Sequence, residues 1–264
     1  MKQAPHSHRA RKRFGQNFLV DPHVIRQIAL AIRPAASEHV VEIGPGQGAI
    51  TALLIDQCKR LDVVELDRDL VPGLLAQFTK YPGFQLHQGD ALKFPFADLC
   101  REGLPLRIVG NLPYNISTPL IFYLLTFKAS IKDMHFMLQK EVVQRLCAHP
   151  GEKHYGKLSV MTQYYCAVEE LFDVAPGAFR PVPKVDSAIV YLRPHRQPPH
   201  IANNVEKLEF LVKQAFQFRR KTLRNCLRNM QSDVPIDELE WDLQLRAENL
   251  SVQDYVDMSN QLWL

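Results

Sequence analysis

The 264 residues are 46% hydrophobic and 23% charged, which provides for a sizeable core and excludes global disorder. That length suits one large α/β domain, or a domain of roughly 200 residues with a small appendage. Net charge is +4, and the five cysteines (58, 100, 147, 166 and 226) form no CxxC pair, which argues against a disulfide framework and a zinc site and favours a reducing compartment.

Taken in chain order, HVVEI (39–43) is the first short apolar strand, and GPGQG follows it. AITALLIDQC (49–58) carries apolar residues at helical spacing. LDVVEL (61–66) is the next strand and DLVPGLLAQF (69–78) the next helix. FQLHQGD (84–90) and LRIVGNL (106–112) are the third and fourth strands. TPLIFYLLTF (118–127) reads as a helix with proline in its first turn, where no N–H is needed. DMHFMLQ (133–139) is a fifth strand and DSAIVYLRP (186–194) a late one. This βαβα rhythm predicts a mainly parallel sheet with helices on both faces. RPHRQPPH (193–200) is rich in proline, lacks apolar periodicity and reads as a linker. Beyond it, Leu208, Leu211, Val212 and Ala215, then Leu223, Cys226, Leu227 and Met230, recur at helical spacing. The expected division is therefore 1–198 and 199–264, the second part small and all-helical. No apolar run reaches membrane-spanning length, and no signal-peptide core follows the basic start; the expected location is the cytoplasm, with no membrane and no metal.

The charge is unevenly placed. Lys2, Arg9, Arg11, Lys12 and Arg13 stand without an acid in residues 1–13, and Arg219, Arg220, Lys221, Arg224 and Arg228 without one in 219–228. Either cluster alone is equally well a solvated face. The pair suggests a polyanionic partner, most simply nucleic acid.

The candidate site begins at VVEIGPGQG. In an open α/β sheet, ligands bind beyond the carboxyl ends of the strands. Gly44, Gly46 and Gly48 would let the backbone approach a ligand, and Glu42 stands two residues before them. Position 49 is Ala, so the strict dinucleotide pattern G-x-G-x-x-G is not met. Glu65 ends the second strand, where an acid accepts hydrogen bonds from ribose hydroxyls. Asp90 ends the third, placed to accept from an adenine amino group. Three consecutive strand ends thus carry a glycine loop, a Glu and an Asp. The fourth ends in GNLPYNIS (110–117). An adenine N6 amine is a poor nucleophile, because its lone pair is delocalised into the ring. The Asn111 side-chain oxygen and the Leu112 carbonyl would accept its two N–H bonds and aim the lone pair at an incoming methyl group. Pro113 stiffens the turn, and Tyr114 would stack on an extruded base.

These motifs resemble the rRNA adenine N6-dimethyltransferases, specifically the KsgA-type small-subunit (16S) rRNA branch. The resemblance runs in order through KRFGQNFL (12–19), EIGPGQGAIT (42–51), ELDRDL (65–70), GDAL (89–92), GNLPYNIST (110–118), FRPVPKVDSA (179–188), FQFRRKTLRN (216–225) and RAENLSVQDY (246–255). It implies a Rossmann-like methyltransferase fold with a mostly parallel seven-stranded sheet and a helical C-terminal domain. It implies S-adenosyl-L-methionine as donor, with Asn17 and Leu19 bordering it, Gly44 and its loop at the methionine part, Glu65 at the ribose and Asp90 at the adenine. Asn111 would lie between cofactor and target, and Tyr114 and Phe179 would sandwich the target adenine. The implied reaction is two rounds of methylation at each of two adjacent adenosines in the 3′-terminal hairpin of small-subunit rRNA. The implied partner is the small ribosomal subunit, met by a monomer that is also a biogenesis factor. The basic N-terminal segment and a helix presenting Arg220, Arg224 and Arg228 on one face would grip phosphates.

Four other readings compete. The related branch that methylates large-subunit rRNA and confers antibiotic resistance shares the core motifs, but FRRKTLRN and RAENLSVQDY look like the small-subunit branch. A DNA adenine methyltransferase would differ at position 112 and carry a DNA-reading domain. An NAD-dependent dehydrogenase fits the glycine loop poorly and leaves NLPY unexplained. A chiefly RNA-binding ribosome assembly factor would not need the intact NLPY motif.

Overall fold

The computed structural model describes residues 16–100, 103–218, 220–230, 236 and 241–263. Phe18–Leu19 form β1 and Pro22–Ile32 α1. The sheet begins with β2 (His39–Ile43), and then come α2 (Thr51–Leu54), β3 (Arg60–Glu65), α3 (Val71–Phe78), β4 (Phe84–Gln88), β5 (Leu106–Asn111), α4 (Ser117–Leu125) and β6 (Ile131–Gln139). Next are α5 (Lys140–Cys147), α6 (Lys157–Tyr165), β7 (Cys166–Val174), β8 (Phe179–Arg180) and β9 (Ser187–Pro194). The chain closes with α7 (Val205–Ala215), α8 (Leu223–Leu227) and α9 (Val252–Leu262).

Seven strands make one sheet in the order β4-β3-β2-β5-β6-β9-β7. β2 through β6 pair in parallel, and β9 runs antiparallel to β6. β2 is buried at all five positions, as a central parallel strand covered on both faces must be, and His39 and Glu42 are buried along with its aliphatic residues. The chain moves outward from β2 to β3 and β4, then returns to the other side of β2 to lay down β5 and β6. The order therefore reverses between β2 and β5, and at such a switch point the loops beyond the strand ends diverge and leave a crevice.

Local chemistry sets the elements around that crevice. α1 starts where the Asp21 carboxylate accepts from the His23 and Val24 N–H groups, with Pro22 in the first turn. It stops at Arg33, whose left-handed backbone (φ 37°) returns its N–H to the Ala29 carbonyl. Ile28, Ala29 and Ile32 are the face it buries. β1 is only two residues long and pairs with β8, Phe18 opposite Arg180 and Leu19 opposite Phe179.

By its packing the chain divides into two units. One runs to Val143 and takes in Glu169–Pro194; the other holds Gln144–Val168 and His195–Leu264. The helical unit is thus larger than a boundary at 198 and 199 provides for, because α6 belongs to it. α6 buries Leu158, Val160, Met161 and Tyr164, and a helix apolar on so many sides needs partners on several faces; it packs against α7 and α9. Within this unit the Tyr155 and Tyr255 rings flank Phe216, with centroids 6.1 and 5.8 Å away. Their hydroxyls donate to the Leu250 and Ala247 carbonyls at 2.8 and 2.7 Å. Leu208, Leu211, Val212 and Ala215 form the buried stripe of α7.

Candidate active site

A cleft of about 260 Å³ opens at the switch point, walled by the loops after β2, β3, β4 and β5 and by residues 16–19. Gly44, Gly46 and Gly48 line the turn after β2 with φ of 66°, 59° and 84°, a region that side-chain-bearing residues rarely enter. At Gly48 a Cβ would also stand 2.6 Å from the Phe78 ring. Gly44 and Gly46 border the cleft, whereas Gly48 backs onto the core at Phe78.

Glu65 is fixed by two backbone donors: Gly46 N–H reaches Oε2 at 3.3 Å and Asp67 N–H reaches Oε1 at 2.7 Å. Burial outweighs them and pushes its carboxyl above the usual range. Asp90 lines the same cleft, its Oδ1 accepting from Leu92 N–H at 3.0 Å. Glu42 is a wall residue to which sequence reasoning gave no role. It is buried, accepts a hydrogen bond from the Thr51 hydroxyl, and is pushed up to about 7 by burial, with the nearby Glu65 charge adding to the shift. Its only sequence signal was an acid two residues before Gly44.

β5 delivers Asn111 to the cleft floor. The Asn111 Nδ2 donates to the Asn17 carbonyl at 3.1 Å. That bond assigns the nitrogen to the N-terminal segment and leaves Oδ1 as the acceptor of the amide. Leu112 N–H donates to the Met137 carbonyl at 3.2 Å, and its side chain is buried. Residues 16–19 are held in place by Gln16, whose Nε2 donates to Asp67 Oδ2 at 2.9 Å, and by the pairing of β1 with β8. Asn17, Leu19, Gly44, Gly46, Glu65, Asp90, Asn111, Leu112 and Tyr114 thus meet around one cleft.

Phe179 is not among them. Its ring is 1% exposed, packed in the core cluster with Leu19, Met137 and Ile189. Pairing with Leu19 turns it inward, so in this structure Tyr114 faces the cleft without it. The basic cluster also differs from expectation. Arg219 lies outside the described residues, as does the basic segment 1–13. Arg220, Lys221, Arg224 and Arg228 are all exposed, but they do not share one helix. Thr222 is extended (φ −69°, ψ 159°) and bridges to Arg246, so α8 starts after it. Arg220 and Lys221 occupy the preceding turn, closed by Lys221 N–H on the Phe218 carbonyl at 3.0 Å, and Arg228 opens a 3₁₀ turn.

Comparison with known proteins matches this arrangement to one group. The chain is 61% identical over 256 residues to ribosomal RNA small subunit methyltransferase A of Saccharophagus degradans, covering 97% of this chain and 96% of that protein. It is 56% identical over 257 residues to the protein of the same name from Pseudomonas aeruginosa, covering 97% and 96%. Among solved structures, a dimethyladenosine transferase from Plasmodium falciparum superposes with a TM-score of 0.77 at 25% identity, over 91% of this chain and 95% of that one. The 23S rRNA methyltransferase ErmE has the same fold, with a TM-score of 0.72 at 24% identity, over 93% and 99%. The sequence profile described as ribosomal RNA adenine dimethylase matches residues 7–263, nearly the whole chain with both of its units, and the chain belongs to that family.

Proposed function

We propose that this chain is an rRNA (adenine-N6,N6)-dimethyltransferase, using S-adenosyl-L-methionine to methylate two adjacent adenosines in the 3′-terminal hairpin of small-subunit rRNA. It works in the cytoplasm as a monomer and takes part in small-subunit biogenesis. The name borne by the relatives from Saccharophagus degradans and Pseudomonas aeruginosa supports the small subunit as substrate, against the large-subunit branch.

The cleft fits the cofactor on its own chemistry. Gly44 and Gly46 border the cleft in a left-handed backbone that a side chain would strain, and the Glu65 carboxylate, fixed by two backbone donors, is an acceptor for a ribose diol. Asp90 stands one strand further along, where an adenine amino group needs an acceptor. When bound, S-adenosylmethionine supplies a methyl group activated by a sulfonium. The protein's part is to hold the other reactant. Asn111 Oδ1 and the Leu112 carbonyl accept the two N6–H bonds of the target adenine, drawing the nitrogen toward tetrahedral geometry and turning its lone pair toward the methyl. Tyr114 stacks on the base. No strong base is needed, because the methylated amine is acidic while cationic and gives its proton to water or to these same carbonyl oxygens. A second round uses the same contacts with one fewer N–H. Phe179 joins Tyr114 at the target only if its ring leaves the core.

The observation that carries this reading is the Asn111 amide, anchored through its nitrogen to Asn17 so that its oxygen is the acceptor in the cleft. The test is transfer of labelled methyl from S-adenosylmethionine into undermethylated small ribosomal subunits, followed by nucleoside analysis. Dimethyladenosine in small-subunit rRNA, lost in Asn111→Ala, is the expected result. Subunit binding with no methyl transfer by the wild type would refute the enzymatic reading in favour of a binding factor.

A further inference from the structure

The loop from Asn111 to Ile116 leaves the sheet before α4 begins, and a loop by itself does not fix the tilt of an aromatic ring. Asn111 is anchored by the Asn17 carbonyl. Tyr114 has its own anchor: its hydroxyl and the Ser187 Oγ share a hydrogen bond of 3.0 Å across 73 residues of sequence. Ser187 is the first residue of β9, is 1% exposed, and pairs with Gln139 at the end of β6. The ladder continues one step beyond it, where Lys140 N–H donates to the Asp186 carbonyl at 3.0 Å. The Ser187 hydroxyl is therefore set by the sheet, while Tyr114 is set by a turn, closed by Ile116 N–H on the Pro113 carbonyl at 3.1 Å and by the Ser117 hydroxyl on the Tyr114 carbonyl at 3.2 Å. These bonds fix the Tyr114 backbone. The Ser187 bond fixes the far end of its side chain.

We infer that Ser187 is a positioning residue for methyl transfer: it locks the Tyr114 ring in the plane on which the target base is laid. The inference rests on the reading that Tyr114 stacks on that base. A phenol ring rotates about two side-chain torsions, and a bond at its tip removes freedom that the turn leaves open. With the tip released, the base still binds but spends less time with N6 in line with the methyl, so the loss falls on turnover more than on binding.

The test measures kcat and KM for both substrates in Ser187→Ala, Tyr114→Phe, the double variant and Tyr114→Ala, with thermal unfolding of each. Expected is a kcat lower by about tenfold in Ser187→Ala and Tyr114→Phe, with KM for S-adenosylmethionine unchanged. The double variant should be no worse than either single one within about twofold, since both remove the same bond. A merely structural serine would lower the melting temperature and leave the kcat of the folded enzyme unchanged; that result overturns the inference, as does a double variant in which the two losses multiply. If Ser187→Ala misfolds, Tyr114→Phe removes the same bond from the cleft side and decides alone: full kcat refutes the lock. Tyr114→Ala separates the two levels. Near wild-type turnover there removes the stacking reading itself. Loss there with full activity in Tyr114→Phe keeps stacking and removes only the role of Ser187.

Discussion

Gly110→Ala tests how closely the catalytic loop depends on the spacing of two strands. Gly110 sits opposite Ile43 in the β2–β5 ladder, one residue before Asn111. An alanine Cβ there would be 2.5 Å from the Ile43 carbonyl oxygen and 3.1 Å from the Leu112 Cδ2. A carbon–oxygen contact settles near ~3.3 Å, so the strands must part by about 0.8 Å. Neither can yield easily: β2 is bonded to β3 on its far side, and β5 to β6. Overpacking of this kind costs about 1–3 kcal/mol, and the middle of that range lowers the melting temperature by about 4–8 °C in a chain of this size. Asn111 moves with its neighbour, and a displacement approaching 1 Å at a positioning group lowers turnover by about a hundredfold. Thermal unfolding gives the first number, and methyl transfer well below the melting transition gives the second. Gly177→Ala, where a Cβ meets nothing within 4 Å, is the control. A Gly110→Ala protein with wild-type melting and wild-type turnover would refute the reasoning.

Gly73 lies inside α3, and a Cβ there also meets nothing within 4 Å; Gly73→Ala should stabilise by about 0.5–1 kcal/mol in urea unfolding. Glu42 titrates near 7 in the fold against an ordinary 4.5, so the folded chain keeps a proton that the unfolded chain releases. Its contribution is therefore greatest below pH 4.5 and is lost as pH rises through 7, by up to about 3 kcal/mol; Glu42→Gln should flatten that decline in unfolding measured against pH. Asp62 has the opposite sign: against its burial, hydrogen bonds from His39 and His87 hold its carboxyl below the ordinary 3.8, so its contribution disappears only as pH falls below that value. Arg220→Glu and Arg224→Glu should weaken binding to undermethylated small subunits at low salt. Each should also make the dependence of log affinity on log salt shallower by about one for every phosphate no longer neutralised; unchanged slopes would remove these side chains from the RNA interface.

β2, β3, β5 and β6 were legible because burial on both faces leaves them rich in apolar residues. His39–Ile43 matches HVVEI residue for residue, and the runs at 61, 84, 106, 133 and 186 fall within two residues of β3, β4, β5, β6 and β9. β7 was not legible. Its sequence CAVEELFDV carries Glu169, Glu170 and Asp173, and its middle is exposed. It is the edge of the sheet, where charge blunts an open row of backbone groups and erases the apolar signal. The helix expected over 49–58 shortens to Thr51–Leu54 and gives way to turns. The strand ends that carry Gly44, Glu65, Asp90 and Asn111 could be placed from sequence because each follows a legible strand. What could not be read were the bonds that orient them. Asn17 to Asn111, Gln16 to Asp67 and Tyr114 to Ser187 join residues 94, 51 and 73 positions apart, and no local pattern encodes such pairings. Arg220, Arg224 and Arg228 repeat at helical spacing, yet Thr222 breaks the helix between the first two.

The pairing of β1 with β8 has a consequence for how the protein is born. A chain is made from its N-terminus, and domains fold as their parts emerge. Phe18 and Leu19 emerge well before their partners, Arg180 and Phe179. The β2–β6 platform with its glycine loop can assemble while that wall of the cleft still waits for a strand about 160 residues later. A nascent chain should therefore gain that β2–β6 platform before it gains its cofactor, and loading with S-adenosylmethionine would report that β8 has joined β1.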